Sequence, residues 1–135
     1  MNYKMLHNDS LVHRAMRAAI AKATCAEGIG KCKYRIGAAL IVGYKIVQVR
    51  HNTYKTHPTL AKLTKWPHLH AESYCILSHG IENCSGGIMC VARVDKEYNL
   101  RMAKPCAVCT GLMLDTGIQV CYYTDNEGEV QELRL

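Results

Sequence analysis

Leu11, Val12, Ala15, Met16, Ala19, Ile20 and Ala23 recur at the spacing that lines one face of a helix. Asp9 and Ser10 precede them as residue types that cap helix N-termini, and Gly28 follows as a stop signal. The pattern predicts a helix over residues 10–26. The periodicity then changes. Residues 34–42 form a mostly apolar run of strand length, Gly43-Tyr44 is a turn signal, and residues 45–50 read as a second strand, so the pair predicts a β-hairpin. Residues 52–69 carry no periodicity and contain Pro58 and Pro67; an unpatterned connection of that length is often functional. A second helix is expected over 70–79, closed by Gly80, and a third strand over 87–94. Residues 105–116 read as a third helix, with Pro105 in its first turn and Gly117 past its end. Residues 118–124 are a fourth strand, 125–128 have turn chemistry, and 129–135 return as a fifth strand. The order α-β-β-α-β-α-β-β predicts an α/β fold: helices layered around a mixed five-stranded sheet, in a single domain spanning 1–135.

Composition adds little to the fold and more to the chemistry. Nearly half of the 135 residues are apolar, enough for one core. No apolar run approaches the about 20 residues that span a bilayer, and the N-terminus lacks the apolar stretch of a signal peptide. A cytoplasmic protein without a membrane partner is expected. The net charge of +6 favours anionic partners, although its lysines and arginines are scattered rather than blocked. Eight cysteines without a secretory signal point to metal ligands or buried reduced thiols rather than to disulfides.

Two of those cysteines stand in a pattern with chemical content. His70-Ala71-Glu72 opens the second expected helix, and Pro105-Cys106-Ala107-Val108-Cys109 opens the third. Zinc takes nitrogen and sulfur ligands in a tetrahedron, and catalytic zinc sites use three protein ligands and leave the fourth position to water. His70, Cys106 and Cys109 supply three. Cys106 and Cys109, three apart at a helix start, point to one side, where the helix N-terminus favours thiolates. Glu72 is not needed as a ligand and is free to move protons. The alternative is a closed structural site in which a fourth side chain such as His68 completes the metal and Glu72 is merely exposed.

With these motifs the chain resembles the zinc-dependent cytidine and deoxycytidylate deaminases, whose signature is H-x-E…P-C-x-x-C. The likeness extends from about residue 10 to residue 124. Tyr34-Arg35-Ile36-Gly37-Ala38-Ala39-Leu40 looks like the first strand of cytidine deaminases, and Thr116-Gly117-Ile118-Gln119-Val120-Cys121-Tyr122 like the segment after the second motif in deoxycytidylate deaminases. The resemblance implies a three-layer α-β-α fold and zinc held by His70, Cys106 and Cys109. It makes Glu72 the proton shuttle, sets the backbone at Ala71 against the base and puts Asn52 against the sugar. Nucleoside deaminases carry a glutamate shortly after that asparagine. Here Thr53-Tyr54-Lys55-Thr56-His57 follows instead, which suits an anionic substrate, so Lys55, Thr56, His57 and Arg50 are the expected phosphate contacts.

The expected substrate is thus a free deoxycytidine nucleotide, dCMP or alternatively dCTP. A nucleoside deaminase is the second reading. An editor of tRNA adenosine or single-stranded DNA cytosine is the third, weakened because the residues after Thr124 read as a terminal hairpin and because clustered arginines and aromatics are lacking. A non-catalytic zinc scaffold would not need Glu72. Homo-oligomers are expected by analogy. Trp66 reads either as a lid over the base or as packing over the second helix. Cys75, Cys90 and Cys121 read as buried thiols, and Cys25 with Cys32 and His57 or His68 as candidates for a second, structural zinc.

Overall fold

Ser10 starts the first helix, α1 (Leu11–Cys25), by accepting the His13 N–H on its hydroxyl oxygen at 3.0 Å. The computed structural model describes residues 10–26, 35–53 and 70–135. The expectations about Gly28, Tyr34, Lys55, Thr56, His57, Trp66, His68 and Cys32 lie outside those residues. Ala15, Met16, Ala19 and Ala23 form the buried stripe of α1, with Leu11, Val12 and Ile20 half-buried beside it, as the spacing requires.

The hairpin forms from β1 (Arg35–Val42) and β2 (Lys45–His51), joined through Gly43 and Tyr44. Both turn residues have positive φ, 59° and 64°, the geometry of the tight hairpin turn that matches strand twist. Beyond it come α2 (Ala71–His79), β3 (Ile88–Val94), β4 (Leu100–Arg101), α3 (Ala107–Asp115), β5 (Val120–Thr124) and β6 (Val130–Arg134). The sheet runs β2-β1-β3-β5-β6, with β4 paired to the end of β3. β3 and β5 are parallel, across the helix α3 that connects them, and the other pairs are antiparallel.

All five expected strands are present. The sixth, β4, is two residues long and carries too few positions to show a period. Two further expectations need correcting. Pro105 does not sit in the first turn of α3. Cys106, with extended φ/ψ of −69° and 169°, is the N-cap, and Pro105 precedes it. The sulfur of Cys106 accepts the Cys109 N–H at 3.5 Å, so a metal-binding residue type also does the capping. In the same way the second helix begins at Ala71, with His70 as N-cap.

The sheet divides two apolar layers. Ala39, Ile41, Cys90, Ala92 and Val130 face α1. Ala38, Leu40, Met89, Val91 and Cys121 face α2 and α3, meeting Ala71, Cys75, Ile76 and Met113. This is the α-β-α layering that the resemblance implies, and it agrees with the helices-around-a-sheet arrangement read from the order of elements. Gly37 lets α1 approach: a Cβ placed there would fall on the Ala19 carbonyl oxygen and 2.6 Å from the Ala23 amide nitrogen. We expect Gly37→Ala to destabilise the fold by about 2–3 kcal/mol, because backbone rather than a mobile side chain must yield. A denaturant midpoint equal to that of wild type would show that α1 lifts away at no cost.

Candidate metal centre

Two helix starts meet on the α2–α3 side of the sheet. His70 caps α2, and Cys106 caps α3. Both have extended backbones that turn their side chains off the helix ends and toward each other. The Ser73 hydroxyl donates to the His70 carbonyl at 3.0 Å, and the Tyr74 N–H donates to the same oxygen at 2.9 Å, which holds the cap in place.

His70 Nδ1 lies 3.6 Å from Cys106 Sγ and 3.4 Å from Cys109 Sγ, and the three ligand atoms are all within 4.8 Å of one another. A tetrahedral zinc with Zn–S of about 2.3 Å and Zn–N of about 2.0 Å separates its nitrogen and sulfur ligands by about 3.5 Å. The donors therefore already stand at ligand spacing. Among the described residues this is the one cluster of at least three such donors.

The electrostatics suit a bound cation. Cys106 is pushed down to about 3, first by a hydrogen bond from the Cys109 thiol and then by one from His70. Cys109 is driven upward, because its proton is held against the Cys106 sulfur and because it is buried. His70 is raised above its ordinary value, chiefly by its hydrogen bond to Cys106. Two sulfurs compete for one proton beside an imidazole drawn toward its cationic form, so the cluster favours positive charge. A divalent cation supplies it and lets both cysteines bind as thiolates.

Glu72 sits in the first turn of α2 and is only 4% exposed. Burial raises its carboxyl above the ordinary value. It shares the wall of a cavity of about 190 Å³ with His70, Cys106, Ile36, Ala103 and Arg93. Ala71, fully buried between His70 and Glu72, is the first residue of α2, so its N–H has no intrahelical acceptor.

The remaining expected contacts divide. Asn52 Oδ1 accepts the Ile36 N–H at 3.0 Å, while its own N–H donates to the Ile36 carbonyl at 3.1 Å. It is thus fastened to a residue that lines the cavity, without lining it itself. Arg50 donates to Gln48 Oε1 at 3.3 and 3.0 Å, lies 5.0 Å over the Tyr74 ring and is not among the residues that line the cavity. Cys75, Cys90 and Cys121 are buried free thiols, as expected; burial pushes Cys90 up to about 12. Cys25 is exposed at the end of α1.

Arg93 and Lys104, both on the cavity wall, belong to neither sequence motif and are additions to the expected site. Arg93 does carry a signal: it follows Met89 and Val91 at the period-2 positions that face α2 and α3, where a cation is out of place.

A family profile described as "Cytidine and deoxycytidylate deaminase zinc-binding region" matches residues 9–125. Among solved structures, the chain is similar to the dCMP deaminase of the cyanophage S-TIM5, crystallised in apo form. The TM-score is 0.61 at 16% identity, and the match covers 88% of this chain and 86% of that one. No curated protein matches the chain.

Proposed function

The chain belongs to the zinc-binding cytidine and deoxycytidylate deaminases, and from that premise we propose that it hydrolyses the amino group from the cytosine ring of a free deoxycytidine nucleotide, dCMP first and dCTP second. One observation carries this reading: a buried carboxylate, Glu72, shares a cavity wall with two of three donors set at zinc-ligand spacing. A closed structural zinc site has no use for it. The cyanophage enzyme supports the choice of dCMP by its name and its fold.

His70, Cys106 and Cys109 would hold the metal. When bound, zinc acidifies a water enough to make it nucleophilic near neutral pH. The protein's own groups do the rest. Glu72 accepts a proton as the water oxygen bonds to C4 and delivers it to ring N3. It then moves the second proton of that oxygen to the exocyclic amine as the C4–N bond breaks. Water enters, ammonia leaves, and the product is the uracil nucleotide. In this reading the N–H of Ala71, the first of α2, holds the base carbonyl. Asn52, just after β2, contacts the sugar in the same reading, with Lys55, Thr56 and His57 following it in sequence as phosphate candidates. A homo-oligomer is part of this reading, and the oligomeric state in solution tests it.

The test is turnover of cytidine, deoxycytidine, dCMP and dCTP by zinc-loaded protein, followed by ultraviolet absorbance, beside a tRNA and a single-stranded DNA. We expect kcat/KM for the nucleotide to exceed that for deoxycytidine by about tenfold or more, the equivalent of about 1.4 kcal/mol. Equal or better use of the nucleoside rejects the nucleotide. Turnover confined to the polynucleotides rejects a free substrate altogether.

A further inference from the structure

The cavity that holds Glu72 carries two cations that deamination itself does not employ. Arg93 lies in β3 opposite Ile36 of β1, so both project from the same face of the sheet, the one that bears α2 and α3. It stands near the carboxyl end of a strand in the parallel β3–β5 pair, the end at which α/β sheets bind ligands. Lys104 is exposed at the rim, two residues before Cys106. One side chain fixes the segments that carry them. Fully buried Thr124 accepts the Arg93 N–H on its hydroxyl oxygen at 3.2 Å and donates that hydroxyl to the Arg101 carbonyl at 2.7 Å. Its own carbonyl accepts the Ala103 N–H at 2.9 Å. The two cations are therefore set on one rigid corner of the fold rather than on independent loops.

The guanidinium of Arg101 is paired to Asp95 at 2.9 Å, and that of Arg50 is laid over Tyr74. Among the described residues that line the cavity, Glu72 is the one acid, and it is needed for chemistry. Arg93 and Lys104 add positive charge to the wall, which favours an anionic group on the substrate.

We propose that Arg93 and Lys104 form the subsite that receives the phosphate of the substrate nucleotide. This rests on the nucleotide reading above and moves the phosphate from the segment after Asn52 to the β3 side of the cavity. An arginine offers paired N–H donors to two phosphate oxygens, and a rim lysine adds a mobile point charge. Arg93 acts as the fixed contact and Lys104 as the one that closes on the bound anion.

The test is binding of the products dUMP and deoxyuridine by zinc-loaded protein, by calorimetry, for wild type, Lys104→Gln, Arg93→Gln and Arg93→Lys. Product binding keeps the readout apart from turnover. Removing a charge-assisted contact should weaken dUMP by roughly ten- to a hundredfold, with a much smaller change for deoxyuridine. Arg93→Lys should recover part of the loss of Arg93→Gln. Lys104 is exposed, so Lys104→Gln decides the matter even if Arg93→Gln fails to fold. The subsite is overturned if Lys104→Gln binds dUMP as wild type does, or if wild type binds dUMP no better than deoxyuridine. Wild type that turns over dCMP while Lys104→Gln leaves dUMP binding intact removes the subsite and keeps the activity. Loss of dUMP binding in Lys104→Gln, with no dCMP turnover by wild type, keeps the subsite and removes the activity.

Discussion

Glu72→Gln should leave the protein folded and zinc-loaded and lower turnover of the cytosine substrate by about 10²–10⁴-fold or more, the range over which a positioned acid–base group acts. The amide has the shape of the carboxyl group but cannot accept a proton from water. In the proposed sequence that one side chain handles the proton twice, so both bond formation at C4 and loss of ammonia suffer. The fold should not suffer with it. Glu72 is almost wholly buried, and burial raises its carboxyl above the ordinary carboxylate range. An acid raised in the folded state costs stability as pH climbs from the ordinary value to the folded one, because the unfolded chain releases its proton first. The glutamine variant lacks that cost, so its melting temperature at neutral pH should equal or exceed that of wild type in metal-free protein. Metal analysis, melting and kcat on one preparation decide the point. Appreciable turnover in a zinc-replete Glu72→Gln sample would remove Glu72 from the proton path.

Much of this site is legible in the amino-acid sequence, because the residues that matter sit where local rules are strongest. His70 and Cys106 each stand at a helix start, flagged by the apolar pattern that follows and by Gly80 and Gly117 at the far ends. The strands declare themselves by length and by the Gly43-Tyr44 turn, and α1 by its alanine-rich stripe. What stays hidden depends on tertiary pairing. Leu100 and Arg101 become a strand only because the turn at Asp95 folds the chain back on β3: Asp95 accepts the Glu97 and Asn99 N–H groups, each at 2.9 Å. Pro favours a first helical turn, which is why the pattern places Pro105 inside the helix; the sulfur of Cys106 takes the cap instead and moves the boundary past the proline. Arg93 reaches the cavity through strand register, which no short motif encodes. Arg50, two residues before Asn52, has its guanidinium over the Tyr74 ring, a contact that only the packing of α2 on β2 reveals.

Stripping zinc should abolish deamination and also loosen one end of the molecule, and both should return when zinc is restored. The reason lies in how α3 is held. Cys109 and Met113 are its buried residues, and Leu114 is half exposed, so apolar packing grips this nine-residue helix weakly. Cys109 is itself a metal donor, and Cys106 is both donor and N-cap. A metal shared with His70 thus clamps α3 to α2 where packing alone does little. Without a cation, the thiols of Cys106 and Cys109 fall back on sharing a proton with each other, an arrangement that needs no fourth partner and resists little strain. Free zinc at a thousand times its dissociation constant adds about 4 kcal/mol to stability, which for a domain of this size raises the melting temperature by about 10 °C or more. Amide exchange should localise the effect: residues 105–113 exchange faster in chelator-treated protein, while β1 and β3, sealed between the two apolar layers, keep their protection. If metal-free protein, confirmed by elemental analysis, still deaminates, then His70, Cys106 and Cys109 are a structural cluster and Glu72 works without them. If activity vanishes but exchange over 105–113 is unchanged, the metal serves chemistry alone, and α3 is held by contacts other than the clamp.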